Sequence, residues 1–163
     1  MRRVKLDRID LRILRDLQDD GRMTNVELAR RAGISAPPCL RRVRALEEAH
    51  YIKSYHAELD PEQLGFEVMF FALVGLDNQS EPVLTAFETM VADWSEVREC
   101  HMARGPHDFM LKIVAHNMAH ENELTTKLTS APHVATVLTM QVIRTSKDQP
   151  GVPVDPETAL IEA

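Results

Sequence analysis

The chain has 163 residues, enough for one ordinary domain or two small ones, with 44% hydrophobic and 27% charged residues, the balance of a soluble globular protein. No apolar run approaches the roughly 18–20 residues that span a bilayer. The basic start, Met1 to Lys5, meets Asp7 and Asp10 with no apolar stretch, which argues against a secretory leader, and Cys39 and Cys100 alone make no disulfide framework, as fits a cytoplasmic protein.

The formal net charge of −6 is unevenly divided. Residues 1–53 hold 13 Lys/Arg against 8 Asp/Glu, a net of +5, while residues 54–163 hold 6 against 17, a net of −11. A basic module joined to an acidic one can lay a positive face on nucleic acid while the remainder keeps the protein in solution. Chance clustering is the competing account of the split.

Residues 6–20 predict a first helix: Leu6, Ile9, Ile13, Leu14 and Leu17 recur at three- and four-residue spacing, Asp7 and Asp10 suit the first turn, and Gly21 is a stop. A short helix follows from Asn25 to Ala32, with Thr24 and Glu27 spaced as a capping box and Val26, Leu28 and Ala29 on the packing side. Gly33 supplies the sharp turn, Ile34 plugs it, and Ser35 caps a third helix over 36–49 whose first turn accepts Pro37 and Pro38. At ~100° per residue, Leu40, Val43 and Leu46 define an apolar back. Arg41 points away from it, flanked by Pro37, Pro38, Arg42 and Ala45, with Arg44 at the margin.

Tyr51 to Leu59 reads as an extended strand or wing, broken by Asp60-Pro61. Beyond it the elements alternate: a strand over 66–76, a helix from 81 to about 94, a strand over 96–103, a turn at Gly105-Pro106-His107, a strand over 108–115, a helix over 118–130 and a strand over 134–145. The order βαββαβ predicts an α+β, ferredoxin-like domain. The expected organisation is a helix-turn-helix domain with a linker strand (1–60), a ferredoxin-like domain (61–146) and a loosely packed, proline-containing extension (147–163).

Two helices joined by a tight glycine turn, the second basic on its exposed side, make a helix-turn-helix. The major groove of double-stranded DNA admits one helix, and an arginine pairing both O6 and N7 of guanine is worth roughly 1–3 kcal/mol of discrimination. Candidate contacts are Ser35, Pro37, Pro38, Arg41, Arg42 and Arg44. Arg41 is the base reader, and Arg42 and Arg44 are phosphate clamps. A protein-interaction module of three helices is the competing reading.

Leu6-Asp7-Arg8-Ile9-Asp10, Ile13-Leu14-Arg15-Asp16-Leu17-Gln18, Glu27-Leu28-Ala29, Gly33-Ile34-Ser35, Arg41-Arg42-Val43, Leu59-Asp60-Pro61 and Gly105-Pro106-His107-Asp108-Phe109 fall in an order that resembles the Lrp/AsnC ("feast/famine") family of transcriptional regulators over about nine-tenths of the chain. The resemblance implies sheet-paired dimers, larger assemblies such as octamers and an amino-acid effector between sensing domains; with no G-x-S-x-G, no phosphate-binding glycine loop and no H-E-x-x-H, neither catalysis nor a cofactor is expected. It also implies a cytoplasmic, nucleoid-associated protein. His50 and His133 stand where the family usually has glycine, and Val137 where it often has a hydroxyl residue.

By itself Gly105–Asp108 is a hairpin turn; the resemblance makes it the effector turn. Backbone N–H groups there suit a carboxylate, and Asp108 suits an ammonium. The candidate effector site is His101, Met102, Ala103, Gly105, His107 and Asp108, closed by Thr136 or Thr139. Met69, Phe71, Leu73, Met110, Lys112 and Val114 alternate on a second sheet face, where self-association is the natural cover. His116 and His120, four apart, are weak metal ligands with no third partner close in sequence. Effector modulation is the leading reading; an architectural nucleoid protein with no effector has the same fold.

Overall fold

The computed structural model describes residues 6–157. The chain divides into two compact units, one of Met1–Glu58 with Lys147–Ala163 and one of Leu59–Ser146. Residues 1–5 and 158–163 of the segments delimited from sequence lie outside the described residues.

The first unit holds three helices: α1 (Arg8–Asp19), α2 (Asn25–Ala32) and α3 (Ala36–Glu48). Asp7 and Asp10 cap α1 reciprocally: Asp7 Oδ1 accepts from Ile9 N and Asp10 N at 2.8 and 2.9 Å, and Asp10 Oδ2 accepts from Asp7 N at 3.1 Å. At α2 only half of the expected box forms. Thr24 accepts from Glu27 N, but the Glu27 carboxylate turns to Arg30 and Arg31, one helical turn on, where the charged partners outcompete a neutral N–H. Gly33, at φ +73, makes the left-handed turn into α3.

Leu6, Ile13, Leu28, Ala29, Ala32, Cys39 and Leu46 form the core of this unit. Two residues expected to pack do not: Val26 is 71% and Leu40 40% exposed. Cys39 takes the fully buried place instead, so the inner stripe of α3 runs through Cys39, Val43 and Leu46. These are spaced four and three apart, the closer match to a helical face.

Residues 53–60 form no strand, contrary to the strand expected over Tyr51 to Leu59. The described residues contain one sheet, in the other unit, so this segment has no ladder to join. It folds back on its own unit, where the Tyr55 hydroxyl donates to Glu47 Oε1 at 2.9 Å. Burial and the Glu47 carboxylate push the Tyr55 phenol up to about 12.

A 3-10 turn (Glu62–Leu64) opens the second unit, followed by β1 (Val68–Leu76), α4 (Glu81–Ala92), β2 (Val97–Met102), β3 (Phe109–Ala115), α5 (Met118–Thr129) and β4 (Val134–Gln141). This is the βαββαβ order. The strands pair antiparallel as β2-β3-β1-β4. Burial alternates along β1 and β3, with Phe70, Ala72, Val74, Phe109, Leu111 and Ile113 in one core with Phe87 and Val91 of α4 and Leu124 and Leu128 of α5. The opposite face carries Met69, Phe71, Leu73, Met110, Lys112 and Val114, half-buried, beside Leu138 and Met140 at 50% and 46% exposure. The last strand stops at Gln141 rather than 145, because β1 begins at Val68 and Val142 N makes the last bond, to Met69 O.

His50 and His133 are the non-glycine residues at positive φ among those described, 59° and 64°. The departures from glycine noted in the sequence therefore keep the glycine-like backbone.

Candidate DNA-binding and effector sites

Helix α3 presents Ser35, Pro37, Arg41 and Arg44 on its exposed side; Pro38 is half-buried. Ser35 caps the helix through its backbone conformation alone, and its hydroxyl makes no capping bond. Arg42 does not belong with this set. Its Nη1 donates to Asp7 Oδ2 at 2.8 Å and to Asp10 Oδ1 at 2.7 Å, so the guanidinium braces α3 against the N-terminus of α1 and is not a free phosphate clamp. The physical reason is competition: two fixed carboxylates at the helix start are closer partners than a solvated phosphate. Burial opposes the charge on Asp7, but Asp10 N–H, the Arg42 guanidinium and Ile9 N–H outweigh it and hold the carboxyl below its ordinary value. Leu40, next to Arg41 in the chain, is exposed rather than packed, which its apolar character did not signal.

In the second unit the turn at residues 103–108 is fastened through Asp108. Ala103 N donates to Asp108 O, and Asp108 N donates to Val74 O, both at 2.8 Å. The Asp108 carboxylate accepts from Leu76 N at 2.7 Å and from Gln79 Nε2 at 3.4 Å. Asp108 thus ties its turn to the end of β1, and one of its oxygens is engaged in doing so.

His107 lies beside Gly75, a buried glycine within β1. A Cβ built there would fall 2.5 Å from Thr136 Oγ1 and 3.9 Å from His107 Cδ2. Glycine leaves the space that the Thr136 hydroxyl occupies over the strand, with the His107 ring at its edge. A glycine interrupting a run of β-formers was the available signal.

Register separates the remaining candidates. Thr136 pairs with Gly75 and Thr139 with Ala72, a core position, so the two threonines lie on opposite faces of β4. His101 pairs with Met110 and Met102 with Phe109, again on opposite faces. His101 is engaged with Glu99 at 3.1 Å, and Lys112 reaches the same carboxylate at 3.1 Å. The His101 imidazole and the Lys112 ammonium hold the Glu99 carboxyl below its usual range. Gly105 is exposed, has nothing within 4 Å of a built Cβ and is not left-handed, so this position does not require glycine. The structure places His107 and Thr136 beside Gly75, ties Asp108 to the flanking Val74 and Leu76 and to Gln79, and leaves Thr139 and Met102 on the other face from Thr136 and His101, respectively.

His116 and His120 stack at 5.2 Å, but their ring nitrogens serve separate bonds: His116 Nδ1 meets Gly65 O at 2.7 Å, and His120 Nδ1 accepts from His116 N. Among the described residues, no group of three or more His, Cys, Asp or Glu is arranged to hold a metal, and no helix is long and apolar enough to cross a membrane.

Residues 6–53 match a winged helix-turn-helix DNA-binding family, and residues 69–152 match the Lrp/AsnC ligand binding domain. The leucine-responsive regulatory protein of Rhizobium meliloti is 53% identical over 147 residues, 90% of this chain and 94% of that one. The Bkd operon transcriptional regulator of Pseudomonas aeruginosa is 45% identical over 132 residues, covering 80% and 86%. Among solved structures, a transcriptional regulator of Neisseria meningitidis in complex with L-Met superposes with a TM-score of 0.88 at 31% identity, over 93% of this chain and 98% of that one. A helix-turn-helix with a basic exposed helix, a ferredoxin-like ligand-binding unit and relatives matched along nearly their whole length lead to one conclusion: this chain belongs to the Lrp/AsnC family of transcriptional regulators.

Proposed function

We propose that α3 enters the major groove with Arg41 reading a base, Arg44 and the Ser35 hydroxyl contacting phosphate, and Pro37 and Leu40 lining the approach. The observation that carries this is the division of labour in α3: Arg42 is held by Asp7 and Asp10, while Arg41 and Arg44 stay exposed. Two such helices from a two-fold dimer meet a pseudo-palindromic site. The apolar sheet face around Phe71, Leu73, Leu138 and Met140 is the dimer contact, and an octamer is the larger assembly. The protein acts in the cytoplasm, on the nucleoid, without cofactor or catalysis.

The effector is an α-amino acid, held where His107, Asp108 and Thr136 converge over Gly75. The complex of the Neisseria regulator with L-Met supports this class of ligand. Because one oxygen of Asp108 is bonded to Leu76 N, the ammonium uses the other. The test takes a duplex selected from random sequence by the purified protein. Its anisotropy is titrated at several salt concentrations, with and without L-methionine, for the wild type, Arg41→Ala and Asp108→Asn.

Arg41→Ala weakens binding by about tenfold or more and relaxes base preference at one position of each half-site. Asp108→Asn keeps the oxygen that Leu76 N needs, removes the charge an ammonium needs, and so leaves DNA affinity intact while losing the response to L-methionine. Equal affinity for wild type and Arg41→Ala removes Arg41 from the interface. An unchanged amino-acid response in Asp108→Asn removes Asp108 from the pocket.

A further inference from the structure

The chain leaves the sheet at Gln141, yet residues 147–157 pack with the first unit. Gln18, near the end of α1, bonds the main chain of Val152 twice: its Nε2 donates to Val152 O at 2.8 Å, and its Oε1 accepts from Val152 N at 3.2 Å. A carboxamide that meets both groups of one residue reproduces the pairing offered by a neighbouring strand. At the start of α1, Arg8 pairs with Glu157, and Pro156 is buried. The segment therefore runs antiparallel to α1.

The lengths agree. Ten residues from Arg8 to Gln18 rise about 15 Å along a helix. Five residues from Val152 to Glu157 cover about 15 Å in the extended form that Pro153 and Pro156 favour. Gly151, at φ +74, turns the chain onto Gln18, and a Cβ there would run into the Gln18 side chain. The left-handed backbone favours glycine at 151, and a side chain there would displace the Gln18 carboxamide.

We infer that residues 147–157 are a docked strap that positions α1 and, through it, α3 against DNA. The strap ends on Arg8, next to Asp7, and Asp7 with Asp10 holds Arg42 of α3. Its prolines restrict the free segment, so docking costs less chain entropy than for an ordinary tail. Its role is positional and not a DNA contact: Lys147 stands against Asp148, Asp155 and Glu157, a net of −2, which phosphate repels. The inference rests on the DNA-binding reading of α3.

The test uses the full chain, Gln18→Ala, Asp19→Ala as an exposed neighbour, and a chain ending at Ser146. In Gln18→Ala the Val152 amide exchanges its hydrogen about tenfold faster than in the wild type. DNA affinity falls about three- to tenfold with the salt slope unchanged, because the number of phosphate contacts is the same. Asp19→Ala changes neither. The shortened chain loses at least as much affinity as Gln18→Ala, and Gln18→Ala decides the matter if the shortened chain does not fold. Unchanged exchange at Val152 in Gln18→Ala overturns the strap, as does full DNA affinity in that variant. Arg41→Ala, measured alongside, separates the two ideas: no effect of Arg41→Ala with a loss in Gln18→Ala sinks the recognition helix and not the strap.

Discussion

Arg42 reaches Asp10 across the helix-turn-helix at 2.7 Å, and this contact sorts the three arginines of α3 by task. One is held by two carboxylates; the other two stay exposed, as the proposed DNA contact requires. Charge alone treats them alike, so substituting them one at a time resolves what the structure separates. Arg42→Ala removes bonds to two carboxylates, one of them half-exposed, and lowers the stability of the first unit by about 1 kcal/mol. Arg41→Ala leaves stability unchanged and weakens DNA binding. Thermal melts of both variants beside their DNA titrations check this, and a melt that Arg42→Ala does not shift would show the brace to be idle.

The same brace makes stability depend on acid. The Asp7 carboxyl titrates below its ordinary value of 3.8, so its contribution is present above that value and is lost as pH falls through the lower, folded one. Asp7→Asn keeps a capping oxygen but no titrating charge. Wild type is therefore the more stable protein at pH 6, and the gap between the two closes as pH falls below about 4. Denaturant midpoints measured from pH 6 to pH 3 give the curve; a gap that widens in acid would reverse the sign and refute the pairing.

His50 follows α3 at φ 59°. A side chain there strains the backbone, and glycine relieves the strain while adding freedom to the unfolded chain. The first effect is the larger, so His50→Gly stabilises by about 0.5–1 kcal/mol. His133 shares the conformation, but its Nδ1 bonds Asp77 Oδ1 at 2.9 Å, so His133→Gly gains less than His50→Gly. Urea midpoints of the two variants rank them, and destabilisation by His50→Gly would mean that the ring at position 50 supports the fold in a way its backbone does not reveal.

Local pattern made the elements legible: apolar spacing marked α1 to α3, and strand-formers between turn residues marked β1 to β4. What it left out were choices between near-equivalent partners. Leu40 reads as part of the apolar back of α3 and Cys39 beside it as a small packed residue, but only Cys39 lies in the core. Arg42 and Arg44 differ only in whether two distant carboxylates lie within reach. Thr136 and Thr139, three apart on one strand, face opposite ways whatever the register, but only pairing with β1 decided which of them faces the core. The prolines after Lys147 signalled an extended chain, but nothing local pointed to Gln18, more than a hundred residues earlier, as its anchor.

Gly75 gives the sharpest test of the convergence over β1. Alanine there puts a methyl 2.5 Å from Thr136 Oγ1, closer than real contacts allow, with Thr136 Cβ at 3.8 Å, an ordinary distance. The clash is with the hydroxyl alone. Gly75→Ala therefore destabilises the second unit by about 1–3 kcal/mol through overpacking, and Thr136→Ala, itself nearly neutral, restores most of the loss in the double variant. A thermodynamic cycle over the four proteins reads the coupling directly. Additive single effects would mean that Thr136 simply rotates away, and the hydroxyl would then have no fixed place over Gly75.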